Sequence, residues 1–397
     1  MKQKTKSREG ISSLKGKSGE VINDDNGKCE ALNDFFSSVF TAQDGANYEP
    51  TPDKNDPQLD RVYFDPWSVK VAISNLKSNS APGPDGILSR VLQETCDSVA
   101  YPLALLFNRS MAEGTVPQDW KQANVTPIFK KGAKSSPSNY RPISLTSTIS
   151  KLMESMIKKD IVEFLETNDL LSKAQHGFRQ KKSCTTNLLF HWNKVSELLD
   201  QGLPVDVIYF DFRKAFDTVP HRHLGTKLEQ LGINKHVKDW ILNWLSGRMQ
   251  RVVCNGAYSN WAEVLSGVPQ GSVLGPILFL IYINDIGSSV TKYINLFADD
   301  TKLSGEASTV EQRECLQEDI NSLHEWAQKW QMQFNADKCS ILHMGRNNVN
   351  HPYELGESTL QSSRCEKDVG VLMQDDGKFG DHCSKVAKKC NMIMGQL

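Results

Sequence analysis

The stretch Ile294-Asn295-Leu296-Phe297-Ala298-Asp299-Asp300 is an apolar run closed by two acids, and Val207-Ile208-Tyr209-Phe210 delivers Asp211 in the same way. Apolar strands that each end in carboxylate are costly to bury unless a cation takes up the charge. Three such acids suit a two-metal phosphoryl-transfer site, because carboxylate oxygens suit Mg²⁺, which also binds substrate phosphates. Taken singly, each acid favours the plainer reading of a solvated turn at the end of a strand. The surrounding residues decide between the two.

The chain has 397 residues, enough for two or three subdomains around a sizeable core. Hydrophobic residues make up 39% and charged residues 23%, the balance of an ordinary globular protein. Net charge is −1, so whole-chain charge does not announce nucleic acid, but basic residues cluster locally: Lys130, Lys131, Lys134 and Arg141, then Lys173, Arg179, Lys181 and Lys182. Acid gathered at one centre with base at the periphery gives near-zero net charge and a positive groove; solvated surface lysines give the same tally. The nine cysteines form no C-x-x-C pair, which argues against zinc ribbons and disulfide frameworks and fits a reducing compartment. The first fifteen residues are polar and basic, without the apolar core of a signal peptide, and no apolar stretch reaches membrane-spanning length. An intracellular, non-secreted protein is expected.

Around the acids the pattern is mixed α and β. Residues 1–20 are expected to be disordered and 44–60 to be a linker carrying Pro50, Pro52 and Pro57. Helices are predicted over 28–40, from Trp67 to Leu76, over 147–166, 187–200 and 223–246, from Val273 to Ile286 and over 311–333. Asn124–Phe129 reads as a strand leading into Lys130-Lys131-Gly132 and Tyr140-Arg141, a basic hairpin suited to gripping phosphates. Val205–Phe212 is almost wholly apolar, the signature of a central strand buried on both faces. Arg251–Cys254 and Trp261–Val264 form a strand pair around Asn255-Gly256. Tyr293–Phe297 and Thr301–Leu303 flank the acid pair as a hairpin; Ser340–Met344 and 368–372 are further strands, and a helix begins at Ser384.

Three more motifs carry chemistry. After Asp211, the Phe212 carbonyl and the next amides could face a triphosphate, and Phe216 could pack under a sugar ring or simply be a core aromatic. Gly267-Val268-Pro269-Gln270-Gly271-Ser272-Val273-Leu274-Gly275 is neither a dinucleotide fingerprint nor a P-loop, yet its glycines at 267, 271 and 275 let backbone approach a substrate closely. Lys338, just before a strand, is a candidate proton donor to a leaving group or a plain surface lysine.

The order of these segments resembles that of the reverse transcriptases. Asp211–Phe216, Gly267–Pro276, Phe297–Asp300 and Lys338 look like that family's motifs A, B, C and D. The segments Ala81-Pro82-Gly83-Pro84-Asp85-Gly86, Asn139–Ser144 and Gln175-His176-Gly177-Phe178-Arg179 resemble the non-LTR, LINE-type branch, Jockey-like in flavour. The likeness runs from about residue 30 to the end. It implies an α+β right-hand polymerase fold: an N-terminal extension over 1–60, fingers over 61–204, a palm over 205–345 with its antiparallel sheet packed on helices, and a primer-grip region with the start of a thumb over 346–397. It implies RNA-directed DNA synthesis, with an RNA template, a DNA primer and dNTPs as partners. Two Mg²⁺ ions, which Mn²⁺ can replace, would be held by Asp211, the Phe212 carbonyl, Asp299 and Asp300. Phe216 would be the steric gate, Gln270 and Gly271 would contact nucleotide and template, Arg141 and Lys130 would grip the triphosphate, and Lys338 would be the proton donor. Asp368-Val369-Gly370-Val371 resembles the primer grip.

The chain departs from the family's pattern in extent: no endonuclease segment precedes the polymerase, and it stops about where a thumb should begin. A truncated copy is expected on that basis. Three alternatives stand beside it: an RNA-synthesising palm polymerase, which an aromatic at 216 disfavours; a nucleic-acid-binding remnant without turnover; and a structural scaffold.

Overall fold

The computed structural model describes residues 10–42, 45 and 57–395. The basic start over 1–9 and most of the expected linker over 44–60 lie outside those residues. The chain divides into two compact units, one comprising residues up to Leu170 with Phe216–Tyr282, the other Leu171–Ala215 with Ile283–Leu397.

The first unit is built on a sheet in the order 140–146, 122–129, 248–254, 257–258, with Ala262–Val264 also paired to 248–254. Gln122–Phe129 and Tyr140–Thr146 run antiparallel, with Ile128 opposite Arg141, and form the expected basic hairpin. Gln122–Val125 lies parallel to Met249–Val252. The helix Asp25–Ser37, capped by Asp24 through the Gly27 amide, packs on this sheet and buries Cys29, Leu32 and Phe36 against Val125, Tyr140 and Val252. Leu14 is buried in the same cluster. For that reason the disorder expected over 1–20 fails for residues 10–20: Leu14–Lys15 pairs with Val21–Ile22 in a small antiparallel ladder. The helices Pro66–Ser74, Ser89–Glu94, Cys96–Glu113, Thr148–Thr167, His221–Gln230, Lys235–Leu245 and Gly275–Tyr282 also belong to the unit.

The second unit carries a five-stranded sheet in the order 361–363, 340–344, 205–210, 300–306, 293–297. All its pairings are antiparallel except Gln361–Ser363 with Ser340–Leu342, so the sheet is not wholly antiparallel as expected. Val205–Phe210 is the central strand, with Val205, Val207 and Ile208 fully buried, which is why its apolar pattern was so continuous. Asp206 on this strand is fully buried and satisfied by His343 Nδ1 at 2.7 Å, Tyr353 Oη at 2.8 Å and Asn348 Nδ2 at 2.8 Å. The helix Cys184–Asp200, opened by a Ser183–Thr186 capping box, packs on this sheet, as does Val310–Lys329, capped by Thr309.

Some expected elements change, among them the partner across the Asn255-Gly256 turn, which is Ala257–Tyr258. The apolar helix from Val273 to Ile286 is helical only over Gly275–Tyr282. The strand expected over 368–372 is the turn of a hairpin between Cys365–Asp368 and Val371–Gln374, because Val369 (φ 43°) and Gly370 (φ 100°) both take left-handed conformations. All nine cysteines are free, and the buried sulfurs of Cys29 and Cys254 lie 2.7 Å apart. Among the described residues no helix is long and apolar enough to cross a membrane.

Candidate active site

The carboxylates gather at one end of the second unit's sheet. Thr301 is registered opposite Phe210, which brings the residues just before and just after that pair, Asp300 and Asp211, alongside each other at the strand ends. Asp300 opens the strand Asp300–Glu306 and is paired with Phe297, so Ala298 and Asp299 form a two-residue turn. Ala298 is left-handed there, with φ 55°. Asp300 is open to solvent at the turn, yet its carboxyl is pushed up to about 6, first by the protein massed around it and then by the like charges of Asp299, Asp368 and Asp211; Lys302 pulls in the opposite direction. Solvent screening tempers the effect without changing its sign.

That crowding is the electrostatic signature of a site short of positive charge, and hard carboxylate oxygens match the donor preference of Mg²⁺ or Mn²⁺. The donor set therefore fits a divalent cation. Among the described residues, however, no three His, Cys, Asp or Glu side chains already converge as a ready-made metal site. Lys338 instead places its Nζ 3.2 Å from Asp211 Oδ1, a half-exposed ion pair at the end of a short 3-10 turn. The backbone fixes Asp211 more firmly: the Asn335 amide donates to its carbonyl at 2.7 Å, and the Arg213 amide donates to Gln333 O at 2.9 Å. Phe212, which sits between those bonds opposite Phe334, therefore turns its own carbonyl away from that neighbour, while its ring stacks on Phe334 at 4.4 Å.

The remaining predicted residues belong to the first unit. Phe216 is half-buried, with one ring face stacked on Phe279 at 4.5 Å and 18°. Gln270 donates from Nε2 to Asp217 Oδ1 at 2.8 Å, and the Val268 amide donates to Phe216 O at 2.7 Å. The glycine-rich loop is thereby tied to the segment that carries Phe216, and Phe216, Asp217 and Gln270 share the lining of a small cavity of about 30 Å³. The Ser144 amide donates to Gln270 O at 2.7 Å, and a Cβ on Gly271 (φ 109°) would meet Ser144 O at 2.7 Å. Only glycine lets the loop lie so close to the strand that displays Arg141. Arg141 and Lys130 are exposed on that hairpin and have no ion-pair partner among the described residues.

Further buried polar residues hold these parts in place. Glu154, fully buried on the helix Thr148–Thr167, accepts from the amides of Val273 at 2.8 Å and Leu274 at 3.4 Å and from Ser150 Oγ at 2.9 Å. It caps the helix that follows the glycine-rich loop; a glutamate in an otherwise apolar helical register was its only sequence signal. Lys302 and Asp368 form a buried pair at 2.7 Å, joined by Asn187 Oδ1 at 3.0 Å. Burial outweighs their attraction, raising the Asp368 carboxyl and lowering the Lys302 ammonium, each toward its neutral form.

A family model described as reverse transcriptase (RNA-dependent DNA polymerase) matches residues 128–376, more than half of the chain. The chain belongs to the reverse transcriptase family. Among curated relatives, the RNA-directed DNA polymerase from mobile element jockey of Drosophila funebris is 32% identical over 329 residues, covering 80% of this chain and 36% of that protein. The probable RNA-directed DNA polymerase from transposon BS of Drosophila melanogaster is 28% identical over 346 residues, covering 82% of this chain and 37% of that protein. The jockey polymerase of Drosophila melanogaster is also 28% identical, over 329 residues. The chain thus spans little more than a third of the length of these relatives. The family resemblance read from the ordered motifs holds, including its Jockey-like character, and both reverse-transcriptase units described above contribute to the matched stretch.

Proposed function

We propose that this reverse transcriptase chain catalyses RNA-directed DNA synthesis for a non-LTR retrotransposon, extending a DNA primer on an RNA template. The observation that supports the reading is the placing of Asp211 and Asp300 side by side at adjacent strand ends, with Asp299 in the turn just before Asp300, and with the Asp300 carboxyl raised first by burial and then by its charged neighbours. The reaction joins a primer 3′-OH to the α-phosphate of a dNTP and releases pyrophosphate. Two Mg²⁺ ions bound by Asp211, Asp299, Asp300 and the Phe212 carbonyl would supply charge stabilisation to the attacking and leaving oxygens. Lys130 and Arg141 bind triphosphate oxygens through charge-assisted hydrogen bonds. Phe216, braced from behind by Phe279, rejects a ribose 2′-OH by contact. Gln270, steadied by Asp217, contacts nucleotide and template, with Gly271 allowing close approach. Lys338 Nζ releases Asp211 and delivers a proton to the departing pyrophosphate. In the family's terms, residues 61–204 act as fingers, 205–345 as palm and 346–397 as the primer-grip region. An intracellular setting, in cytoplasm, nucleus or both, follows from that role.

The test is extension of a labelled DNA primer on RNA with dNTPs in Mg²⁺. Template-directed, dNTP-selective extension supports the proposal; extension with rNTPs alone would point to an RNA-synthesising enzyme. A second reading, nucleic-acid binding without turnover, draws on the Lys338–Asp211 ion pair and the lack of a converged three-ligand group among the described residues. It predicts salt-sensitive template–primer binding with no extension at any Mg²⁺ concentration.

A further inference from the structure

The segment Gln175-His176-Gly177 entered the sequence reading only as part of a family likeness, and the proposed chemistry gives it no task. In the structure it lies along the free edge of the strand Tyr293–Phe297. The Leu296 amide donates to Ala174 O at 3.0 Å and the His176 amide donates to Leu296 O at 2.9 Å, a parallel bridge that covers the sheet edge. Asn187 Nδ2 also donates to Leu296 O at 2.9 Å.

From this edge the Gln175 side chain, 2% exposed, reaches the turn that carries the acids. Its Oε1 accepts from the Ala298 amide at 2.9 Å and from the Gly177 amide at 2.7 Å, while its Nε2 lies 3.4 Å from Ala298 O. Two backbone donors meeting one end of the side chain determine which end is the oxygen. Both main-chain groups of Ala298 are therefore held by one buried amide. Ala298 is the residue that most needs holding: it is left-handed at φ 55°, a conformation unfavourable for a residue with a Cβ. A Cβ on Gly177 would come within 2.3 Å of the Ala298 nitrogen, so the two backbones are in direct contact and glycine is required at 177.

We infer that Gln175 is a positioning residue for the catalytic carboxylates: its side-chain amide clamps Ala298 in the left-handed turn that aims Asp299 and Asp300. The inference deepens the proposed polymerase reading and rests on it for its kinetic consequence, though not for its structural one. Gln175 touches no reacting atom; it acts through the backbone of the residue before the acid pair.

The test is amide hydrogen exchange across Phe297–Asp300, with extension kinetics, in the full chain. Gln175→Met keeps length and removes the acceptor. Val195→Ala, in a core cluster of the same unit away from the turn, supplies comparable loss of stability without touching it. Exchange at Ala298 rises about tenfold or more in Gln175→Met, the equivalent of one lost hydrogen bond, and not in Val195→Ala. Gln175→Glu retains an acceptor at the same reach and keeps the Ala298 amide protected. The extension kcat falls about tenfold in Gln175→Met while KM for dNTP stays within about twofold, since an aimed carboxylate serves the chemical step. Equal exchange and equal kcat in Gln175→Met and Val195→Ala would overturn the clamp. If Gln175→Met fails to fold, the wild-type protein decides: an Ala298 amide that exchanges as freely as open loops is fatal to the inference. A wild type that extends no primer refutes the proposed function alone, and the exchange result still judges the clamp.

Discussion

At the scale of single residues, function turns on side chains whose surroundings give them a task their identity alone does not. Phe216 is an aromatic five residues after Asp211, and sequence left it between gate and core. Its half-buried ring, stacked on Phe279, has the stiffness a gate needs. Phe216→Ala should raise rNTP use relative to dNTP on the order of 10- to 100-fold, with dNTP incorporation retained, because a steric pocket discriminates by contact. Competition assays with paired dNTP and rNTP measure it, and an unchanged ratio would return Phe216 to the core. The strands that lead into the three acids were legible because each is an apolar run up to its carboxylate. Gln175 and Glu154 were not, because each acts on backbone amides more than a hundred residues away in sequence, Ala298 and Val273 respectively. No local pattern encodes such a partner.

At the scale of elements, most strands and helices followed from periodicity. The central strand Val205–Phe210 and the helix Val310–Lys329 were the plainest, since each buries a continuous apolar pattern. Misreadings have physical causes. The apolar run from Val273 was read as helix from its first residue, but Glu154 takes the amides of Val273 and Leu274, so the helix begins at Gly275. Glu154→Ala should leave those buried amides unpaired, at a cost of about 1–3 kcal/mol, and loosen the loop that carries Gln270. KM for dNTP then rises severalfold with primer–template affinity unchanged, as steady-state titrations and filter binding would show. The run around Asp368 was read as a strand, but Val369 and Gly370 turn the chain back, and the Lys302–Asp368 pair fixes that hairpin. Lys302→Met alone should be strongly destabilising, by roughly 3–5 kcal/mol, because it strands a buried carboxylate; the double variant Lys302→Met/Asp368→Leu should recover most of the loss. Chemical denaturation of both variants checks this, and a double variant no better than the single would mean that the pair is a net source of stability.

For the whole molecule, the family and the mixed α and β content were readable from the order of motifs. Leu171–Ala215 clusters with the C-terminal part and Phe216–Tyr282 with the N-terminal part, so the chain crosses between the two units more than once. Stability should also depend on pH through His191. This side chain is 3% exposed, and burial, helped by the charge of Lys302, holds it down to about 3. The unfolded chain, with an ordinary histidine, takes up the proton more readily. Its contribution is therefore intact above about pH 6.5 and is lost progressively as pH falls from there toward 3. Urea midpoints should decline between pH 7 and pH 5, and His191→Leu should flatten that decline; an identical slope in the variant would assign it to other groups.

The central claim is that Asp211, Asp299 and Asp300 form one catalytic centre. The most direct measurement is Mg²⁺-dependent primer extension on an RNA template with dNTPs, wild type beside Asp299→Asn, with template–primer binding measured in parallel. If the three acids act together, the wild type extends the primer, Asp299→Asn loses at least about a hundredfold, and both bind template–primer equally. Equal extension by both proteins would contradict it, and binding by both with extension by neither would leave a nucleic-acid-binding protein in place of a polymerase.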